Sequence, residues 1–179
     1  MNLKRALLVS LAGFVLAFGL SGCGFKLRGQ AQLPFESAYV EGRSGAHNEG
    51  DRNELRPAQS ASLTSALRQA LKTQDKLAAS AEGTPVRIIL SGETLSKSIL
   101  SLSGGGKVRE YRLTYKVGLK VVDQGGNELI SPSDILLTRD YSYSDTAILA
   151  KEAEEATLIR GMEQEALRQV LRRLSFVKR

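Results

Sequence analysis

The sequence predicts an α+β domain: a four-stranded mixed sheet with two helices packed on one face, in the order β-α-β-β-β-α. Two observations carry this reading. Two segments repeat apolar residues at the 3.6-residue period of a helix, and between them residues 111–121 alternate strictly between apolar and polar. A helix with one apolar stripe and a sheet with one apolar face each need a covering layer, and stacking one on the other satisfies both.

The first strand falls at residues 37–41, where Tyr39 and Val40 precede a stop at Gly42. Residues 42–57 are rich in Gly, Asn, Asp, Glu and Arg without periodicity, which marks a solvated loop. Leu63, Ala66, Leu67, Ala70, Leu71 and Leu77 then share one helical face, with Arg68, Gln69, Lys72 and Lys76 opposite. This helix starts near Ser60 or Ser62 and ends before Gly83 and Pro85. Residues 86–102 form a long strand rich in Ile, Leu, Val, Thr and Ser, with Gly92 as a bend or bulge. In the third strand Tyr111, Leu113, Tyr115, Val117, Leu119 and Val121 face inward, while Arg112, Thr114, Lys116, Gly118 and Lys120 face water. Gln124-Gly125-Gly126-Asn127 turns the chain, and residues 128–143 return as a fourth strand interrupted by Pro132. The last helix carries the stripe Ala156, Ile159, Met162, Ala166, Leu167, Val170, Leu171 and Leu174. Glu152, Glu154 and Glu155 stand near its start and Arg168, Arg172 and Arg173 near its end, an order that complements the helix dipole. Strands one and two flank a helix and are therefore parallel through a right-handed crossover, whereas strands two to four form an antiparallel meander.

Ahead of this domain lies a targeting device. Lys4 and Arg5 flank an apolar run over residues 6–20, and Leu20-Ser21-Gly22-Cys23 closes it with the only cysteine of the chain. This is the pattern of a bacterial lipoprotein signal, cut before Cys23, whose thiol takes the lipid. The run is shorter than the roughly 20 apolar residues of a spanning helix. Gly24 supplies no acidic retention signal after the cysteine, which favours the outer membrane, facing the periplasm. The division is thus residues 1–22 as signal peptide, 23–36 as lipidated tether and 37–179 as one globular domain.

Cleavage leaves 157 of the 179 residues, and without Lys4 and Arg5 the 25 basic side chains become 23 against 19 acidic ones, a net +4. With Cys23 acylated no disulfide is available, so stability rests on an ordinary core. A basic exported chain meets lipid phosphates and envelope proteins, not nucleic acid.

Catalytic sets are scarce. His47 is the sole histidine and lies in the 42–57 loop, so no Ser-His-Asp, Cys-His or histidine-rich metal set assembles. A Ser-Lys hydrolase is the remaining enzymatic possibility, and nothing beyond weak spacing speaks for it. The chain reads as a non-enzyme without metal or cofactor. Gly104-Gly105-Gly106-Lys107 lies between strands instead of opening a helix, and Val108 follows where a nucleotide-binding loop needs Ser or Thr. It is either a plain hairpin connection or a phosphate cradle aided by Lys107, Arg109 and Arg112. Arg112, Lys116 and Lys120 project together and are either an ordinary wet face or a patch for polyanionic glycolipid phosphates.

Gly22-Cys23-Gly24-Phe25-Lys26-Leu27-Arg28, Glu110-Tyr111 at the third strand and Leu149-Ala150-Lys151 before the last helix carry a resemblance. With the element order, the chain resembles the lipopolysaccharide-assembly lipoprotein family LptE, also called rare lipoprotein B, over essentially the whole mature sequence. The resemblance implies a plug and assembly partner of the outer-membrane β-barrel LptD, with the globular domain inside the barrel lumen, binding lipopolysaccharide near its exit route. It implies that Lys151 matches a basic position of glycolipid binding. The other such position lies in the loop between strands two and three, where this sequence has Gly104, with Lys107 as the substitute. The 42–57 loop is longer than usual for the family. Contacts to the barrel are expected from Tyr141, Tyr143 and the basic strand face, Lys120 included, because a barrel lumen is polar. The alternative reading is a structural lipoprotein that scaffolds another envelope assembly machine, anchored in the membrane by the same lipid.

Overall fold

Strand β1 (Ala38–Arg43), helix α1 (Leu63–Thr73), strands β2 (Val86–Leu102), β3 (Val108–Asp123) and β4 (Glu128–Ser142) and helix α2 (Ile148–Leu174) follow in the expected order in a computed structural model. The structure describes residues 32–43 and 62–177. The signal segment, Cys23, the tether up to residue 31 and most of the 42–57 loop, His47 included, lie outside the described residues.

The sheet order is β1-β2-β3-β4. β1 runs parallel to β2, from Ala38 opposite Val86 to Arg43 opposite Ser91, and the other pairs are antiparallel. The single parallel pair is a consequence of α1 sitting between its strands, since a helix returns the chain to the end where it started.

Helix α1 begins where Ser62 accepts the Ser65 N–H at 3.3 Å, the side-chain cap that a serine at this position provides. It ends earlier than the stripe suggests. Asp75 takes a left-handed conformation (φ 54°), its N–H bonds the Lys72 carbonyl at 3.1 Å, and the Lys76 N–H bonds the Leu71 carbonyl at 2.9 Å. These two bonds are the Schellman closure that satisfies the last carbonyls of a helix. Leu77, assigned by period to the helix, is instead extended and bridges Ala38 in parallel. The Ala38 N–H bonds the Lys76 carbonyl and the Ala78 N–H bonds the Ala38 carbonyl, so the backbone beside β1 outcompetes another helical turn.

Gly92 is a bulge, as expected. Its φ is +60°, and between the pairs Ser91–Gly118 and Thr94–Lys116 the β2 side holds one residue more than the β3 side. Pro132 does not break β4. The strand runs through it, with register shifts between Leu119–Ser133 and Val122–Glu128 that place the extra residues on β4. β4 is an edge strand, where a residue without an N–H is tolerated.

Both helices cover the same face. Leu63, Leu67 and Leu71 of α1 and Ile159, Met162, Ala166, Val170 and Leu174 of α2 belong to one core with Ile88, Leu90, Leu113, Val117, Leu119 and Ile135 of the sheet. The opposite face, bearing Arg112 and Lys116, stays open to solvent. Among the described residues no helix is long and apolar enough to cross a membrane.

Candidate functional site

The β2–β3 hairpin, the link from β4 to α2 and the first turn of α2 meet at one end of the sheet. In the hairpin the Gly106 N–H bonds the Ser103 carbonyl at 2.9 Å and the Lys107 N–H bonds the Ser103 hydroxyl at 3.1 Å. Those two N–H groups therefore close the turn, and the sequence Gly104-Gly105-Gly106 makes a hairpin tip. Lys107 reaches across to Asp145 at 3.5 Å, the Arg109 carbonyl accepts the Tyr143 N–H at 2.8 Å, and Lys151 donates to the Ser142 hydroxyl at 2.9 Å and to Glu154 at 2.8 Å. Lys107, Arg109, Tyr143 and Lys151, drawn from three separate stretches of sequence, are thereby gathered at this end. Arg109 is exposed and makes no ion pair with another described residue. The same end exposes large apolar side chains: Ile99, Leu100 and Leu102 where β2 finishes, and Ile148 and Leu149 where α2 starts, Leu149 being 82% exposed. Cations beside uncovered aliphatic groups suit a ligand that is both anionic and greasy.

The basic strand face is organised differently. Arg112, Lys116 and Lys120 project together as expected, yet each faces an acid on β4. Arg112 grips Asp140 with two bonds of 2.7 and 2.8 Å, Lys116 meets Asp134 at 3.0 Å and Lys120 meets Glu128 at 2.9 Å. The hydrogen bond from Arg112 holds the Asp140 carboxyl below its usual range, and Lys120, then Ser131, do the same for Glu128. Cross-strand pairing thus neutralises the row locally. Its signal was the acids at 128, 134 and 140: the β3–β4 register sets Asp140 directly opposite Arg112, and it sets Asp134 opposite Gly118 and Glu128 opposite Val122, each two residues along β3 from the lysine it pairs with.

Tyr141, expected at the surface as a partner contact, is buried at 5% exposure. β3–β4 register sets it opposite Tyr111 on the inner face, where the rings stack at 5.8 Å between centroids. Its hydroxyl donates to Glu155 of α2. Burial, then this bond, pushes the phenol up to about 12. Glu155 also receives Lys97 at 2.6 Å, and the Lys97 ammonium stands 4.3 Å from the Tyr111 ring centroid. Burial works against the charge of Lys97, but the bonds to Glu155 and Tyr141 outweigh it and its pKa rises. Tyr143 is half-exposed and sits edge-on to Tyr111 at 5.3 Å, so of the two tyrosines only Tyr143 presents itself at the surface.

Glu93 went unnoticed in the sequence. The bulge at Gly92 turns it to the helix side, where its carboxylate accepts the Leu63 N–H at 3.0 Å and the Tyr115 hydroxyl at 2.8 Å. Among the described residues no three metal-ligating side chains cluster.

The comparisons with known proteins agree with one another. A family model described as "LptE: Lipopolysaccharide-assembly" matches residues 47–174. The chain is 29% identical over 171 residues to the LPS-assembly lipoprotein LptE of Pectobacterium atrosepticum, covering 90% of this chain and 84% of that one. With the protein of the same name from Yersinia pestis it is 30% identical over 172 residues, 94% of this chain and 73% of that one. Its fold is similar to lipoprotein B of Nitrosomonas europaea (36% identity, TM-score 0.66, 85% of this chain and 90% of the other). It is similar also to rare lipoprotein B of Shewanella oneidensis (25% identity, TM-score 0.56, 75% and 91%).

Proposed function

We propose that this chain, which belongs to the lipopolysaccharide-assembly family LptE, is a lipid-anchored, noncatalytic partner of the outer-membrane β-barrel LptD. It binds lipopolysaccharide through Lys107, Arg109 and Lys151 at the hairpin end of its sheet. Cys23 carries the anchor on the periplasmic side, and the globular domain fills the polar lumen of the barrel. The observation that carries this reading is the gathering of three cations beside exposed Ile99, Leu102 and Leu149 at one end of a fold of this family. Lipopolysaccharide offers both halves of that chemistry, phosphates for the cations and acyl chains for the aliphatic groups.

The row Arg112, Lys116 and Lys120 is paired with carboxylates throughout, as Lys107 is with Asp145 and Lys151 with Glu154, but it has no counterpart of Arg109, which makes no ion pair with a described residue, and it is assigned to the polar surface against the barrel wall. Tyr143 is the aromatic contact for that wall.

The test has two arms. Affinity capture of the membrane-extracted full chain is expected to bring down the barrel in near-equal amount, and capture of a different envelope assembly machine instead would favour the scaffold reading. Lipopolysaccharide binding by the same protein is expected to weaken as salt rises and to fall when Lys107, Arg109 and Lys151 are changed together to Gln. Binding indifferent to both would refute the assignment of the site. Mass spectrometry is expected to find acyl chains on Cys23.

A further inference from the structure

The amino-terminal turns of α2 are attached to the sheet in an unusual way. The buried apolar residues of this helix are Ile159, Met162, Ala166, Val170 and Leu174, so the stretch from Ile148 to Thr157 has no buried apolar side chain. At its level the core gives way to a polar layer. Glu155 takes Lys97 of β2 at 2.6 Å and the hydroxyl of Tyr141 of β4, while Tyr111 of β3 lies under the ammonium at 4.3 Å. Two strands thereby bond one carboxylate of the helix, and the third supports the ammonium that pairs with it. Both members of the ion pair are largely shielded, with side-chain exposures of 24% for Lys97 and 15% for Glu155. A charge pair so placed has demanding geometry and resists replacement of one partner.

Glu155 is four residues after Lys151, one turn along the same face of the helix. Whatever fixes the rotation of α2 at Glu155 therefore also fixes the direction of Lys151, whose ammonium rests on Ser142 at the end of β4 and on Glu154 of α2 itself. The geometry points to Lys97, Glu155 and Tyr141 as positioning residues that aim Lys151, and with it the start of α2, at the anion bound beside the hairpin. This inference rests on the assignment of Lys151 to the ligand site and adds residues that do not touch the ligand.

Charge and geometry make opposite forecasts for one variant. Glu155→Gln removes a negative charge one turn from Lys151, so charge alone tightens the binding of an anion. Loss of positioning weakens it, because a ligand group held loosely contributes less.

The experiment measures binding of the full chain to purified lipopolysaccharide well below the Tm of every variant, with far-UV circular dichroism confirming equal helix content. Glu155→Gln and Lys97→Met are both expected to weaken binding, by roughly three- to ten-fold. Lys97→Arg, which keeps the pair, is expected to bind within about two-fold of the parent. Lys151→Met serves as the reference. If Lys151→Met binds like the parent, the ligand site itself is misassigned and the inference falls with it. If Lys151→Met weakens binding while Glu155→Gln leaves it unchanged or tightens it, the site stands and the positioning role is overturned. Should Glu155→Gln lose helix content, Tyr141→Phe carries the test. It removes a single bond to Glu155, and it is expected to weaken binding about two-fold; undiminished binding by that variant overturns the proposal.

Discussion

Replacing Glu93 by Ala is the sharpest test of how the sheet and α1 are joined. The carboxylate serves two donors from different elements: the Leu63 N–H, which opens α1, and the hydroxyl of Tyr115, whose side chain is 2% exposed. Burial, then the charge of Glu93, pushes the Tyr115 hydroxyl well above the ordinary tyrosine value, consistent with a proton held in a closed space. Ala at 93 strands that hydroxyl, at a cost of about 1–3 kcal/mol for a buried orphan donor. It also removes an acceptor and a negative charge from the helix start, worth about 1 kcal/mol more. The expected loss is about 3 kcal/mol, which for a domain of this size lowers Tm by roughly 6–12 °C. Urea unfolding followed by far-UV circular dichroism measures it, since the chain has no tryptophan. A double-mutant cycle completes the argument. Tyr115→Phe removes the donor that Glu93→Ala would strand, so the double variant is expected to lose at least about 1 kcal/mol less than the sum of the single losses. A loss under about 0.5 kcal/mol for Glu93→Ala, or strictly additive losses, would show that Glu93 does not tie Tyr115 to the start of α1.

Asp75→Gly is expected to stabilise the domain by about 0.5–1 kcal/mol in the same assay, because Asp75 occupies the left-handed closing position of α1 and places a negative charge at a helix carboxyl end. Gly42→Ala is expected to destabilise by about 1–3 kcal/mol: the added Cβ would stand 2.6 Å from Cγ2 of Thr64 and 3.0 Å from its Cβ, which no side-chain rotation moves. Thermal scans at rising pH test the layer under α2. Lys97 and Tyr141 both hold their protons more tightly in the folded state, so their contribution is complete below pH 10 and is lost as pH climbs from the unfolded values near 10 through the raised folded ones, about 12 for Tyr141. Tm is expected to drop over that range, and the Lys97→Met/Tyr141→Phe double variant is expected to show a shallower drop; parallel curves would refute the assignment.

Much of this architecture was written into local pattern. The alternation from Tyr111 to Val121 and the stripe ending at Leu174 survive intact in the folded chain, because one buried face imposes its period on a strand or helix regardless of its neighbours. Gly92 was legible as a bulge for the same kind of reason, a residue without a side chain inside an otherwise apolar strand. The carboxyl end of α1 was not. Leu77 fits the helical stripe in sequence, and only the backbone of Ala38, some forty residues earlier, draws it into extended pairing.

Function divides along the same line. From the sequence alone come the expectation of an export signal ending at a cysteine, the single histidine that leaves no catalytic histidine set, the element order and the family resemblance, all of which rest on residues near one another in the chain. The tertiary structure decided which charges meet. Arg112, Lys116 and Lys120 look like a basic row until β4 brings Asp140, Asp134 and Glu128 across from them, and Tyr141 looks like a surface ring until register turns it inward beneath Glu155. Lys107 and Arg109 are neighbours in sequence, but Lys151 joins them only where the helix start meets the hairpin. Electrostatic partnership depends on distance in space, and a strand pairing or a crossover sets that distance where spacing along the chain does not.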